Sequence, residues 1–258
     1  MSNDLHVTSV GHVTTIEICR PPLNYFDLDL IRQIADQLDQ IDADANCRAV
    51  VLAAQGKAFC AGADFNAPAT DAELDGGRRN SGELYVEAVR IFRNKKPIVA
   101  AVHGAAIGGG FGLAMSADFR VTCPEARFAA NFTRLGFHPG FGLTVTLPEA
   151  IGQTNAALMF YTSRRVTGEE AFKMGLASVL AAQDQVRTAA VKLAAEIAEN
   201  SPLGLISTRA TMRAGLADRV KAATDHELDQ QSRLRETADF AEGVKATAER
   251  RVPNFEGC

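Results

Sequence analysis

Mixed α/β structure with crossover connections is the fold class this sequence predicts, on three observations. Short apolar runs of strand length, at residues 49–53 and 97–102, are each followed by a glycine-punctuated loop. Segments with apolar residues at helical spacing lie between and after these runs. From Thr167 onward the pattern is mainly helical. Strands alternating with helices imply layers joined by crossovers.

Taken in order, residues 7–10 and 13–18 read as a hairpin turning at Gly11-His12. Asp27 reads as an N-cap, after which Leu28, Ile31, Ile34, Ala35, Leu38 and Ile41 recur at helical spacing. Residues 49–53 form a buried strand. Residues 67–81 contain Pro68, Thr70, Asp71 and Gly76-Gly77, and read as a mobile loop over a ligand entrance. A helix is expected over 83–95, and strands over 97–102 and 118–122. Ser201-Pro202 breaks a helix over 186–200, and further helices are expected over 203–215, 216–234 and 237–250.

With 258 residues, the chain suits one large domain or a core with a smaller appendage. Its 47% hydrophobic content supplies a sizeable core. A formal charge of −4, without a basic stripe, points away from nucleic acid. No apolar run is long enough to span a bilayer, and the polar first residues lack a signal-peptide core, so no membrane role is expected. The five cysteines are widely spaced, with no Cys-x-x-Cys, which argues against a disulfide framework or a metal site. Buried thiols in a cytoplasmic protein are the expectation. Cys60 is the one thiol whose place in a loop also suggests a nucleophile.

Two loops stand out: Lys57-Ala58-Phe59-Cys60-Ala61-Gly62-Ala63-Asp64-Phe65 and His103-Gly104-Ala105-Ala106-Ile107-Gly108-Gly109-Gly110. Each follows an apolar run, and the second opens a helix-like stretch from Phe111 to Met115. Glycine lets backbone approach a ligand closely, and a helix start leaves N–H groups without internal partners. Two such loops can aim N–H donors at one oxygen, the arrangement of an oxyanion hole. Aspartate side chains bond nearby backbone N–H groups, so Asp64 and Asp118 are read as shaping their loops.

The two loops, with Arg20-Pro21, Lys96-Pro97-Ile98-Val99-Ala100-Ala101-Val102, Ala117-Asp118-Phe119-Arg120, Leu135-Gly136-Phe137-His138-Pro139-Gly140, Val166-Thr167-Gly168 and Pro253-Asn254-Phe255, resemble the crotonase superfamily, the enoyl-CoA hydratase/isomerase family. The resemblance covers nearly the whole chain. It implies a ClpP-like spiral of strand–strand–helix turns, with a core over residues 1–200 and a C-terminal helical trimerisation region over 201–258. It also implies a homotrimer or homohexamer, and an acyl-CoA substrate whose coenzyme A is part of the substrate, with no separate cofactor.

By the same resemblance the backbone N–H groups of Ala63 and Gly109 bind the thioester carbonyl and stabilise an enolate. The two glutamates of family hydratases fall on Gly112 and Phe132, neither of which transfers a proton, so ordinary hydration is not expected. Gly112 is expected to enlarge the pocket and Phe132 to fill its opposite wall, for a bulky acyl group. The acid of dienoyl-CoA isomerases falls close to Gly140 and is also missing. His138 is the remaining acid or base, titrating near neutrality. His103 is read as structural. Tyr85, with Glu83 and Glu87, begins the helix after the entrance loop, a region that supplies a catalytic group in some family members; Tyr85 is read as packing inward, toward the substrate pocket, while Asn131 and Arg134 flank Phe132 and could meet a polar acyl group. The coenzyme's adenine is expected near Ala61, Gly62 and Phe65, with Lys57, Arg20 and Arg251 toward its phosphates. Three readings remain open: an enolate-stabilising enzyme of this family, an isomerase, decarboxylase or hydrolase using His138, and a non-catalytic acyl-CoA-binding protein.

Overall fold

The computed structural model describes the backbone of residues 4–64 and 71–258, and their side chains outside 71–80. The expected hairpin forms from β1 (Leu5–Val10) and β2 (Val13–Ile18), paired antiparallel from Leu5↔Ile18 to Val10↔Val13. The first helix, α1 (Leu28–Ala43), starts where Asp27 Oδ1 accepts the Leu30 N–H at 2.9 Å. Its buried stripe is Leu30, Ile31, Ile34, Ala35, Leu38 and Ile41, so Leu30 takes the place expected of Leu28.

After α1 the chain repeats one unit. β3 (Ala49–Ala54) and the short β4 (Ala58–Cys60) lead into α2 (Asp71–Arg93). Next come β5 (Ile98–Val102), β6 (Ala105–Ile107) and α3 (Gly109–Ser116). Then follow β7 (Phe119–Thr122), β8 (Arg127–Ala129), a 3-10 turn at Thr133–Leu135 and α4 (Leu143–Ile151). The remaining elements are α5 (Gln153–Thr162), β9 (Arg165–Thr167), α6 (Gly168–Lys173), β10 (Val179–Leu180) and the helices α7 (Val186–Ala198), α8 (Pro202–Met212), α9 (Leu216–Leu234) and α10 (Ala238–Ala248).

The longer strands form one sheet, in the order β1-β2-β3-β5-β7-β10, and all its pairs beyond the hairpin are parallel. Parallel neighbours require crossovers, which the helices supply. Every residue of β3 and β5 is buried, as their unbroken apolar runs require of strands covered on both faces. The short strands form a second sheet, β4-β6-β8-β9. The repeated strand–strand–helix unit is therefore a spiral, and its short strands carry the two glycine loops to the same place.

One expectation is corrected. Residues 71–81 belong to α2 rather than to a loop, and residues 67–70 of that expected loop lie outside the described residues. Glycine within a helix costs about 1 kcal/mol but does not forbid it, and α2 packs against α1 and α9. The C-terminal helices fold back on the core, with α9 against α2 and α4, and α10 against the 3-10 turn. Asp118 ties α8 to the large sheet. Its carboxylate accepts the Ile98 N–H at 2.8 Å, Arg209 Nε at 2.9 Å and Arg213 Nη1 at 2.9 Å.

Candidate active site

The two glycine loops are pressed together by backbone contacts that leave no room for side chains. A Cβ on Gly62 would stand 2.8 Å from the Ile107 carbonyl oxygen and 3.8 Å from Gly109 N. One on Gly110 would stand 2.2 Å from the Cys60 carbonyl oxygen. Gly62 and Gly108 also have φ of +86° and +55°, in the left-handed region that favours glycine. Ala63 and Gly109 thus lie on touching loops. Gly109 is the first residue of α3, where an N–H has no intrahelical acceptor and the helix dipole favours negative charge.

The first loop is anchored from behind by Asn24, which is fully buried. Its amide donates to the carbonyls of Gln55 at 2.6 Å and Ala58 at 2.7 Å. The Phe26 N–H donates to Gly62 O at 3.0 Å, and the Phe26 ring lies on the second loop, where Gly109 would otherwise carry a Cβ. Phe26 therefore touches both loops, and nothing in the sequence pattern marked it.

Phe132 is buried, at the start of the 3-10 turn. Its ring and the Asn131 side chain border Gly108, 3.8 Å and 3.5 Å from where a Cβ would stand. Gly112 does not enlarge the site as expected. A Cβ there would stand 2.5 Å from Phe141 Cβ and 2.9 Å from its ring, so Phe141 already fills that volume. Arg134 does not accompany Asn131: its residue is exposed, and its backbone N–H bonds Ser163 Oγ at 3.1 Å.

His138 is half-buried, with Nδ1 2.8 Å from the Pro139 carbonyl oxygen and its ring edge-on to His226 of α9, centroids 5.9 Å apart. Tyr85 packs inward as expected, and its hydroxyl donates to Gln231 Oε1 at 2.9 Å. Burial pushes its phenol upward, so it stays protonated and acts as a donor near neutrality. Gly140 is squeezed between these groups, since a Cβ would stand 2.2 Å from Tyr85 Oη and 2.5 Å from Gln231 Nε2. Gln231 Nε2 donates to the His138 and Pro139 carbonyls at 3.0 and 3.3 Å. One turn earlier, the buried Glu227 accepts the Gly142 N–H at 2.9 Å and the Thr144 hydroxyl at 2.6 Å. Burial raises its carboxyl above the ordinary range despite these bonds. Glu227 and Gln231 are four residues apart on one helix face, yet no signal in the sequence says that this face meets residues 138–144.

Other expected residues are placed as follows. Burial pushes the Cys60 thiol up to about 12, which removes it as a nucleophile. His103 Nε2 lies 3.0 Å from the Gly56 carbonyl oxygen, a structural bond between the two loops' elements. Glu83 and Glu87 pair with Arg32 of α1. Arg20 is taken up by Asp4 at 2.6 Å and Asp27 at 2.7 Å, and Arg251 by Glu242 at 2.5 Å and Glu249 at 2.6 Å. Both are thus paired with carboxylates of this chain. Lys57 is exposed, Ala61 half-buried and Gly62 buried. Phe65 lies outside the described residues. No helix among the described residues is long and apolar enough to cross a membrane.

Comparison with known proteins agrees with this geometry. Residues 9–258 match the enoyl-CoA hydratase/isomerase family. A probable enoyl-CoA hydratase of Bacillus subtilis is 32% identical over 251 residues, 95% of each chain. A carnitinyl-CoA dehydratase of Proteus mirabilis is 30% identical over the full length of both chains. The crystal structure of an enoyl-CoA hydratase/isomerase from Pseudoalteromonas atlantica superposes with a TM-score of 0.84 at 28% identity, covering 98% of this chain and 100% of that one. The spiral, its two touching glycine loops and a match over 250 of 258 residues lead to one conclusion: this chain belongs to the enoyl-CoA hydratase/isomerase family, the crotonase superfamily.

Proposed function

We propose that this enzyme binds an acyl-CoA thioester with its carbonyl oxygen between the N–H groups of Ala63 and Gly109, and stabilises the enolate formed when charge moves onto that oxygen. The observation that supports this reading is the contact between the two loops, in which Gly62, the residue before Ala63, lies against Ile107 and Gly109. Each such donor contributes roughly 3–4 kcal/mol to transition-state stabilisation. No cofactor beyond the coenzyme A of the substrate is needed. Ala61 and Gly62 line the coenzyme side, and exposed Lys57 offers a cation to its phosphates.

The similar proteins are named for adding or removing water on CoA thioesters. Simple hydration by two carboxylates is not proposed here, because Gly112 and Phe132 provide none. General acid–base groups contribute roughly 10²–10⁴-fold, and crotonyl-CoA hydration should be slower than in a two-carboxylate relative by about that factor. His138, in the loop after Phe132, is the acid or base of a second reading, an isomerase, decarboxylase or hydrolase. The absence of a carboxylate at 112 and 132 also favours a third, tight acyl-CoA binding without turnover.

Incubation with short, long, β-keto, malonyl-type and cyclic acyl-CoAs, followed by mass spectrometry, separates these readings. A new product on one class is the expected outcome, and its loss in His138→Ala would assign the proton carrier. Tight binding with every thioester returned intact would establish the binder. We also propose assembly as a homotrimer or homohexamer through residues 201–258, supported by the exposed Leu203, Met212, Val252 and Phe255 of that region. Light scattering after size-exclusion chromatography tests it, and a monomer would overturn it.

A further inference from the structure

Phe141 combines three properties. It is 1% exposed although it lies in a loop between Gly140 and Gly142. Its φ is +61°, a conformation uncommon for residues that carry a side chain. And it occupies the volume in front of Gly112, within 2.5 Å of where a Cβ would be.

The place it fills belongs to the site. Gly112 lies three residues beyond Gly109 on α3, about 4.5 Å along the helix axis. Three rings from three separate segments close on this first turn: Phe132 against Gly108, Phe26 against Gly109 and Phe141 against Gly112. The rings of Phe26 and Phe141 have centroids 5.8 Å apart, and Phe92 of α2 backs Phe141 at 6.5 Å. The ring that covers Gly109 therefore touches the ring that covers Gly112 one turn further along α3.

The ring is also prevented from moving aside. Gln231 holds the carbonyls of His138 and Pro139, Glu227 holds the N–H of Gly142, and Tyr85 Oη lies against Gly140. The backbone is therefore fixed immediately before and after the ring.

We propose that Phe141 is the specificity-determining residue of this site, an end wall that restricts the acyl group to short chains, with Tyr85, Gln231 and Glu227 as positioning residues. This rests on the acyl-CoA reading above. It reverses the expectation that glycine at 112 makes room for a bulky group, because Phe141 takes that room.

The test is calorimetric titration with free CoA, acetyl-CoA, butyryl-CoA and octanoyl-CoA on the wild type and on Phe141→Gly, a change that also suits the positive φ. The wild type should bind butyryl-CoA at least about tenfold more tightly than octanoyl-CoA, and Phe141→Gly should tighten octanoyl-CoA by about tenfold or more. Free CoA and acetyl-CoA should bind both proteins alike. Should Phe141→Gly fail to fold, Phe141→Leu removes the end of the ring and should shift the preference the same way. A thermal-unfolding cycle adds a second readout: Gly112→Ala should lower Tm in the wild type but not in the Phe141→Gly background, because only the former has a ring in the way. Equal binding of butyryl-CoA and octanoyl-CoA by the wild type, or a chain-length preference that Phe141→Gly and Phe141→Leu both leave unmoved, would overturn the proposal while leaving the acyl-CoA reading intact. Failure of every thioester to bind better than free CoA would overturn both.

Discussion

The two sides of this site are made of different material. The side read as holding the thioester oxygen is backbone: Gly62, Ala63, Gly108, Gly109 and Gly110, packed so closely that a Cβ on Gly110 would stand 2.2 Å from a carbonyl oxygen. The facing material is side chain: the rings of Phe26, Phe132 and Phe141, the last of them in a loop held by buried polar bonds from α2 and α9. A backbone device is constrained at every residue, so it leaves a spacing of glycines that can be read directly. A side-chain wall depends on which distant residue arrives, and no local spacing records it.

Substitutions can break or sharpen this contrast. The largest loss of stability is expected away from both sides, which makes it a control. Asp118→Ala leaves Arg209 and Arg213 without their shared carboxylate, and Arg209 is only 8% exposed. Removing one partner of such a pair should destabilise by about 3–5 kcal/mol in urea unfolding. A loss near zero would mean that α8 is not tied to the sheet in this way.

On the backbone side, Gly110→Ala drives a methyl group into the Cys60 carbonyl. Neither α3 nor β4 can yield independently, so about 3 kcal/mol should be lost, the upper end for overpacking. Any residual folded protein should bind thioesters poorly. A variant of full stability and affinity would show that the two loops are not in contact. On the aromatic side, Tyr85→Phe leaves Gln231 Oε1 without its donor in a buried setting, for about 2 kcal/mol. Since that bond also helps to hold the loop of Phe141, the acyl-length preference should weaken with it, a result that simple loss of stability does not produce.

A smaller effect is a change in pH dependence. Burial raises the Glu227 carboxyl above its ordinary value of 4.5. Between the two values the folded chain keeps a proton that the unfolded chain has released. Stability from this group is therefore present below the ordinary value and is lost as pH rises through the raised one. Glu227→Gln does not titrate, so its Tm should fall less than the wild type's over that interval. Parallel curves would remove Glu227 as the source. The least perturbing test is chemical labelling of the native protein. Ellman's reagent should modify exposed Cys258 and spare Cys60, whose thiol sits near 12 and is fully buried. Fast reaction at Cys60 would reopen its reading as a nucleophile.

The sequence by itself determined the α/β class, the hairpin, α1 with its Asp27 cap, the long buried strands and the C-terminal helices, because each is written in local periodicity and capping chemistry. It also determined where the two glycine loops fall, since only glycine permits their approach. The three-residue strands of the second sheet and the start of α2 were not legible: the strands are too short to carry a period, and Gly76-Gly77 reads locally as a breaker. Only the tertiary structure decided that Phe141 fills the space Gly112 leaves, that Arg20 and Arg251 are already paired, and that Glu227 and Gln231 hold the loop of His138. These contacts join residues up to 93 positions apart. A residue type states what a side chain can do; the fold decides which partner it meets.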